Sequence, residues 1–329
     1  MKVTVAVLAY NEEHNIGDLL TSMVAQDLPI EQYEVLLVDN CSTDRTLAVA
    51  GKFRDRLPNL RIVSSPVNGI AQGRNLAIRE SRGDLIAFTD ADVILPPTWL
   101  TTLVDGFEVL KSQGVPVAAV GGGNVIPSGQ NDTFIRAVGV TLNSFWGSHG
   151  STQGMILDRV TEVPHIPTLN ILYDKAVLTE MDGFDEDFRM VCEDPELNHR
   201  LGKAGYKIYY LPGTVVQHKM RPTLRSWLRN VFIYGRGRTQ LIRKHHDHFT
   251  PMYAVPPLIA LALLSVVLAP LHWIFLLPLI YFIPPFAIGV ALCLRNKHPE
   301  CVPWAALILA LNPLAYGFGM LYALFRKKT

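Results

Sequence analysis

Leu85-Ile86-Ala87-Phe88-Thr89-Asp90-Ala91-Asp92 is an apolar run that ends in two carboxylates one residue apart. The run reads as a buried β-strand. The aspartates fall at its end, where they can be aimed at one point. Buried like charges repel unless something neutralises them. A divalent cation does so, and oxygen ligands suit Mg2+ or Mn2+. Such a cation in turn favours a diphosphate. The competing reading is a pair of solvated turn aspartates, one of them capping a helix that Pro96-Pro97 would start.

Upstream of this run the chain alternates strand and helix. Val3–Ala9 reads as a strand. Residues 11–26 read as an amphipathic helix with Ile16, Leu19, Leu20 and Met23 on one side. Tyr33–Val38 is a strand ending at Asp39. Ser42 or Thr43 is placed to cap a helix that runs to about Arg56. Leu60–Ser64 is a strand, and Ala71–Ser81 a helix. The series predicts an α/β fold, a mostly parallel sheet with helices on both faces. In such sheets ligands bind beyond the carboxyl ends of the strands. Asn11, Asp39, Asn68 and Asp90 all fall just after strands, which predicts one shared pocket.

Residues 121–218 are less regular. Gly121-Gly122-Gly123 breaks the chain after a strand at Val117–Val120, and His165–Leu172 is apolar. Asp182-Gly183-Phe184-Asp185 is a turn signal. A helix is expected from Pro195 to Ala204, with Asp194 as N-cap, Pro195 in the first position and Gly205 as C-cap. Tyr206–Leu211 reads as a strand.

The 329 residues carry a net charge of only +1, so overall charge names no partner. That average hides a split. Up to about Thr250 the chain is polar and mixed; beyond it the chain is apolar. Met1-Lys2 leads straight into the first strand, too short for a signal peptide and without a cleavage site. The four cysteines, Cys41, Cys192, Cys293 and Cys301, show no metal-ligand spacing and read as reduced residues of a cytosol-facing protein. Lys219, Arg221, Arg225, Arg229, Arg236, Arg238, Arg243 and Lys244 alternate with apolar and aromatic residues. Beside a membrane this pattern reads as an interfacial helix on anionic lipid. A solvated basic face and a nucleic-acid patch are the alternatives. The neighbouring apolar segments favour lipid, and no nucleic-acid partner is expected.

Three apolar stretches, Tyr253–Leu271, Trp273–Leu294 and Val302–Phe325, are each about long enough to span a bilayer. Prolines 256, 257, 278, 284, 285 and 313 interrupt them, which leaves room for a re-entrant or shallow segment. The loop Arg295-Asn296-Lys297 should be cytoplasmic. Three full crossings would then put Arg326-Lys327-Lys328 outside, against the positive-inside rule. The expected organisation is a cytosolic domain over 1–218, a basic interfacial segment over 219–250, and a transmembrane region of two or three helices over 251–329.

At this point the residues resemble family 2 glycosyltransferases. Val5-Ala6-Val7-Leu8-Ala9-Tyr10-Asn11-Glu12 is similar to that family's opening strand and turn. Val35-Leu36-Leu37-Val38-Asp39-Asn40-Cys41-Ser42-Thr43-Asp44 is similar to its second-strand signature. Gly73-Arg74-Asn75 resembles its arginine-asparagine segment, Asp90-Ala91-Asp92 its D-x-D, and Glu193-Asp194-Pro195-Glu196-Leu197 its acidic helix start. The match covers residues 1 to about 215 in order. The basic segment and apolar helices that follow resemble the membrane-anchored, exopolysaccharide-type branch.

The resemblance implies a GT-A fold, a nucleotide-diphosphate sugar donor with UDP foremost, a divalent Mn2+ or Mg2+, and inversion at the anomeric carbon. It also implies a lipid-linked or membrane acceptor used in cell-surface polysaccharide or glycolipid synthesis at the inner or plasma membrane. Carried over by position, Ala9, Asn11, Glu12 and Asp39 would hold the base and ribose. Asn68 and Arg74 would lie near the base and diphosphate. Asp90, with Ala91, would contact the ribose or sugar side, and Asp92 the metal. Asp194, with Glu193 beside it, would supply the catalytic base. His218 could complete the metal site, as a histidine does in some similar enzymes.

Each residue also has a plainer reading. Asp194 could be only a helix cap, Asn11 likewise. Asp39 could serve only its turn, Arg74 could be a surface arginine, and His218 a surface residue at a strand end. Two departures from the family pattern stand out. Cys192 precedes the acidic pair, and the Q-x-x-R-W motif of processive synthases is missing, with only a partial echo in Arg225-Ser226-Trp227. Two other functions compete. A sugar-phosphate nucleotidyltransferase also uses strand-end carboxylates and metal, but it wants a basic Gly-rich loop where this chain has Ala9-Tyr10-Asn11-Glu12. A membrane-anchored scaffold would have lost Asp92 or Asp194, and both are present.

Overall fold

The computed structural model describes residues 2–127, 129–130, 132–148, 154, 156–189 and 191–326. Lys327 and Lys328 of the basic tail lie outside the described residues. The chain forms two compact units, Met1–Pro127 with Ser151–Lys219, and Ser128–Gly150 with Met220–Thr329. The last break between them falls between Lys219 and Met220. Residues 128–150, read from sequence as part of the first domain, group with the second unit.

The first unit begins β1 (Val3–Ala9), α1 (Ile16–Val24), β2 (Tyr33–Asp39), α2 (Thr46–Gly51), β3 (Leu60–Ser64), α3 (Ile70–Glu80), β4 (Leu85–Asp90) and β5 (Val93–Ile94). It goes on through α4 (Trp99–Ser112), β6 (Val117–Gly121) and β7 (Asn124–Val125). The second unit contributes α5 (Thr133–Leu142) and α6 (Phe145–Ser148). The chain then returns to the first unit with β8 (Thr161–Val163), β9 (Asn170–Asp174), α7 (Lys175–Glu180), α8 (Glu193–Lys203), β10 (Lys207–Tyr210) and β11 (Val216–His218).

Eight strands make one sheet in the order β3-β2-β1-β4-β9-β6-β10-β8. β1 is parallel to β2 and β4, β2 to β3, and β6 to β10. β9 is antiparallel to both β4 and β6, and β8 is antiparallel to β10. A three-stranded sheet of β5, β11 and β7 completes the unit. Every residue of β2 is buried, as an apolar strand covered on both faces should be. One core packs Trp99 and Phe107 of α4 with Leu19 and Leu20 of α1 on one face. The other packs Phe88, Tyr173 and Phe184 with Leu197 and Leu201 of α8. The β1, β2 and β4 ends are in register, with Ala9 beside Asp39 and Leu8 beside Asp90.

Several local expectations are corrected. Pro96-Pro97 does not start a helix capped by an aspartate; β5 follows Asp92, and α4 begins at Trp99 after N-cap Thr98. Ser42 and Thr43 do not cap α2, whose N-cap is Arg45. Asn11 does not cap α1, whose N-cap is Asn15; it takes a left-handed backbone with φ 56°. Asp182 and Gly183, at φ 58° and 65°, form the expected turn.

The second unit adds α9 (Leu224–Lys244), α10 (Val255–Leu264), α11 (Ile283–Arg295) and α12 (Val302–Phe325). Three helical stretches, Pro251–Leu268, Trp273–Arg295 and Pro299–Phe325, are long and apolar enough to cross a membrane. The first half of the middle stretch, Trp273–Phe282, is a 3-10 helix with Pro278 inside. α5 packs at the start of α12 through Phe134 against Trp304 and an Arg136–Glu300 ion pair.

α9 lies along the second half of α12. Trp227 Nε1 donates to Asn312 Oδ1 at 2.9 Å and Arg238 Nε to Tyr316 Oη at 3.1 Å. Thr239 Oγ1 donates to the Met320 carbonyl at 3.3 Å and Arg243 Nη2 to the Leu324 carbonyl at 2.9 Å. Both numbers rise together, so the two helices run in the same direction. Glycine makes the approach possible: a Cβ at Gly235 would stand 2.1 Å from the Tyr316 carbonyl oxygen.

Candidate active site

The rim above β1 and β2 is built by two loops bonded to each other. The Asn11 N–H donates to Ser42 Oγ at 3.0 Å, and Asn11 Oδ1 accepts from the Thr43 N–H at 2.8 Å. The Glu12 N–H donates to Thr46 Oγ1 at 2.7 Å, and the Glu12 carboxylate accepts from Asn15 Nδ2. Asp39 is buried and accepts from the Ser42 N–H at 3.3 Å. Asn40 bridges to Asn68 Oδ1 at 3.2 Å, which brings the loop after β3 to the same rim. Ala9, Asn11, Glu12, Asp39 and Asn68 thus lie together on the rim formed by the ends of β1 and β2 and the loop after β3.

A second cluster forms past β4. β11 pairs antiparallel with β5, which sets His218 opposite Val93. The pairing carries His218 Nε2 to 3.4 Å from Asp92 Oδ1. His218 is therefore not a solitary surface residue. Ala91 between the two aspartates is buried, so Asp90 and Asp92 are held on either side of it.

Arg74 is no surface arginine. It is 6% exposed, on the inner face of α3. Its guanidinium bonds Glu193 Oε1, stands 3.6 Å from Asp90 Oδ1 and lies over the Phe184 ring at 5.6 Å. Glu193 Oε2 is buried without a hydrogen-bond partner among the described residues. Burial pushes the Glu193 carboxyl up to about 7, against the pull of Arg74 and with help from neighbouring Asp194.

α8 does not start where the sequence suggests. Its N-cap is Cys192, left-handed at φ 67°, and Glu193 is the first helical residue. Asp194 is therefore inside the first turn and is not the cap. Its Oδ2 accepts from the Thr168 N–H at 3.3 Å and stands 3.9 Å from His165 Nε2. Burial raises its pKa, and Arg74 opposes the shift.

Sequence reasoning missed three residues here. His165 Nδ1 is 2.8 Å from Asn198 Nδ2, and Asn198 Oδ1 accepts from the Tyr173 hydroxyl at 2.8 Å. The three come from a loop, α8 and β9, and share no spacing that a motif could reveal. Only the antiparallel β9 brings Tyr173 under Asn198.

Comparison with known proteins agrees with this architecture. A chain of 24% identity, aligned over 96% of this chain and 95% of its own, is the dolichyl N-acetyl-alpha-D-glucosaminyl phosphate 3-beta-D-2,3-diacetamido-2,3-dideoxy-beta-D-glucuronosyltransferase of Methanococcus voltae. The succinoglycan biosynthesis protein ExoA of Rhizobium meliloti is 26% identical over 96% of this chain and 92% of its own. Among solved structures, the mannosyltransferase PcManGT from Pyrobaculum calidifontis, in complex with GDP-Man and Mn2+, superposes with a TM-score of 0.60. That match has 21% identity and covers 98% of this chain and 87% of the other; the shared architecture is the GT-A fold. The family model described as glycosyl transferase family 2 matches residues 4–181, more than half of the sequence, and the chain belongs to that family.

Proposed function

We propose that this glycosyltransferase moves one sugar from a nucleotide-diphosphate donor, with UDP as the nucleotide, to a lipid-linked acceptor, and inverts the anomeric carbon. The observation that carries the reading is the meeting of Arg74, Asp90, Asp92, Glu193, Asp194 and His218 beyond the carboxyl end of β4. Relatives named for a dolichyl phosphate acceptor and for succinoglycan synthesis support the acceptor class and the polysaccharide setting.

Asp92 and His218 offer one carboxylate oxygen and one imidazole nitrogen 3.4 Å apart, a donor set that suits Mn2+ or Mg2+. Bound there, a divalent cation would neutralise charge on the leaving diphosphate. The chain's own residues do the rest. The Asn11–Asp39–Asn68 rim, with Ala9 and Glu12, seats the base and ribose. Asp90 orients the sugar side. Arg74 is held by two carboxylates, so it supplies fixed positive charge near the diphosphate. Glu193 is tied to Arg74, which leaves proton transfer to Asp194. Asp194 takes the acceptor hydroxyl's proton as that oxygen attacks. A single displacement inverts configuration, with no covalent intermediate.

The second unit supports a membrane setting, which we read as the cytoplasmic face of the cell membrane. α9 carries Arg225, Arg229, Arg236, Arg238, Arg243 and Lys244 alongside residues 312–324. Each cation at mid-bilayer depth would cost about 2.5–3.5 kcal/mol. On this reading α9 and the second half of α12 lie together at headgroup level on an anionic leaflet. α12 then stops short of a full crossing, and the conflict with the positive-inside rule disappears.

The nucleotidyltransferase reading is not favoured in a family 2 glycosyltransferase whose first loop carries Glu12 and Glu13. The test is a donor screen on purified protein in detergent with Mn2+ and a lipid extract. UDP should be released from one UDP-sugar only when acceptor lipid is present. Asp194→Asn should abolish release and keep donor binding. A fully active Asp194→Asn would remove the base assignment, and pyrophosphate release from a nucleoside triphosphate would revive the rejected reading.

A further inference from the structure

The gap between His165 Nε2 and Asp194 Oδ2 is 3.9 Å, too long for a hydrogen bond between them. It is the span that one hydroxyl oxygen bridges. An oxygen about 2.8 Å from each atom would subtend an angle near a right angle, which suits one donated and one accepted bond. Both side chains retain some exposure, 27% for His165 and 17% for Asp194, so the gap is reachable.

The tautomer of His165 is set from behind. Burial pushes the Tyr173 hydroxyl far up, so it stays protonated and donates to Asn198 Oδ1. That bond turns the Asn198 amide nitrogen toward His165 Nδ1, with a further bond to the Ile166 carbonyl at 3.2 Å. Nδ1 must then accept, and the ring proton of neutral His165 sits on Nε2, facing Asp194.

We propose that His165 Nε2 and Asp194 Oδ2 form the seat of the acceptor hydroxyl, with Asn198 and Tyr173 as positioning residues that fix the His165 tautomer. This rests on Asp194 as the base. In the step, the acceptor O–H bond breaks and its proton goes to Asp194 Oδ2. The freed oxygen pair forms the bond to the anomeric carbon. The bond from that carbon to the diphosphate oxygen breaks, and its electron pair leaves with the diphosphate. His165 keeps its proton throughout. Its N–H holds the acceptor oxygen beside Asp194, so the group the gap takes is a single alcohol hydroxyl, which on the proposed function is a sugar hydroxyl of the acceptor.

The experiment uses the full chain in detergent with the donor found above, and reads kcat, acceptor KM and donor Kd separately. Glutamine can mimic an Nε2–H donor, whereas asparagine is too short to reach. His165→Asn should lower kcat/KM for acceptor roughly 10- to 100-fold with donor Kd unchanged. His165→Gln should keep most of the activity. Asn198→Leu, which removes the donor to Nδ1 and leaves the tautomer unfixed, should lower kcat/KM for acceptor part of the way toward His165→Asn. Equal activity of the glutamine and asparagine variants, whether both high or both low, overturns the seat. A dead Asp194→Asn beside a wild-type-like His165→Asn also overturns the seat and leaves the base intact. An active Asp194→Asn overturns the base, and the seat with it.

Discussion

Arg74 on α3 and Glu193 at the first position of α8 meet as a buried ion pair across 119 residues of sequence. Their side chains are 7% and 5% exposed. Arg74 also stands beside Asp90, so one guanidinium ties the end of β4 to the start of the helix that carries Asp194. On the proposed assignment, the pair joins the donor side of the pocket to the acceptor side.

Removing the cation alone strands two carboxylates. Arg74→Met is expected to cost about 3–5 kcal/mol, the usual penalty for breaking a buried pair from one side. Glu193→Gln leaves Arg74 with Asp90 and should cost less. Thermal unfolding in detergent, followed through loss of donor binding, checks the order. Negligible loss in both variants would mean that the pair is energetically idle.

The raised pKa of Glu193 gives a pH signature. In the unfolded chain this carboxyl ionises near its ordinary value of 4.5, and in the fold near 7. Between these values the folded state holds a proton that the unfolded state has lost. The Glu193 contribution is therefore fully present below about pH 4.5 and declines as pH rises toward 7. Wild type should lose thermal stability across that window more steeply than Glu193→Gln. Parallel curves would count against the assignment.

Metal dependence has its own readout. Chelation should stop transfer, and added Mn2+ or Mg2+ should restore it. His218→Ala removes one of the two proposed donors and should raise the Mn2+ concentration for half-maximal activity by at least about tenfold. Asp92→Asn should respond to no metal. If His218→Ala titrates like wild type, the histidine is only a strand-end residue.

The clustering of the strand ends was the most legible part of the arrangement, because it depends on a local rule. Each of Asn11, Asp39, Asn68 and Asp90 follows a short apolar strand, and parallel strands in register bring those ends together. Arg74 and His218 were legible as candidates only through family resemblance. Their burial and pairing depend on α3 facing α8 and on β11 returning to β5, which no spacing encodes. Asp194 looked like an N-cap because aspartate before proline usually is one; left-handed Cys192 starts the helix earlier. The His165–Asn198–Tyr173 chain was invisible, since an antiparallel β9 inside a parallel sheet leaves no periodic mark. The grouping of α5 with the second unit was missed because a ten-residue apolar helix reads equally well as soluble core.

The loop staple should matter for stability apart from catalysis. Asn11 holds φ 56° and accepts from the Thr43 N–H, so Asn11→Ala loses a bond and strains the backbone. About 1–2 kcal/mol is expected. Asn11→Gly relieves the strain but not the lost bond, and should recover part of the stability. Denaturant titration separates the two; an alanine variant as stable as wild type would mean the loops are held elsewhere.

The course of α12 gives the last prediction. α9 bears its cations alongside residues 312–324, with Arg236 stacked over the Tyr322 ring at 5.2 Å. Those charges need water or lipid headgroups within reach, so on the proposed reading the end of α12 lies near the same leaflet as α9. Phe325 is 88% exposed, which makes Phe325→Cys a good reporter in a Cys41→Ser background, since the other three cysteines are buried. An impermeant maleimide should label Phe325→Cys from the same side as Asn296→Cys in the loop between α11 and α12. Arg229→Glu with Arg236→Glu should also lower activity in vesicles rich in anionic lipid more than in neutral ones. Labelling from opposite sides would mean a full crossing and an α9 buried beside it, with its six cations satisfied inside the bilayer.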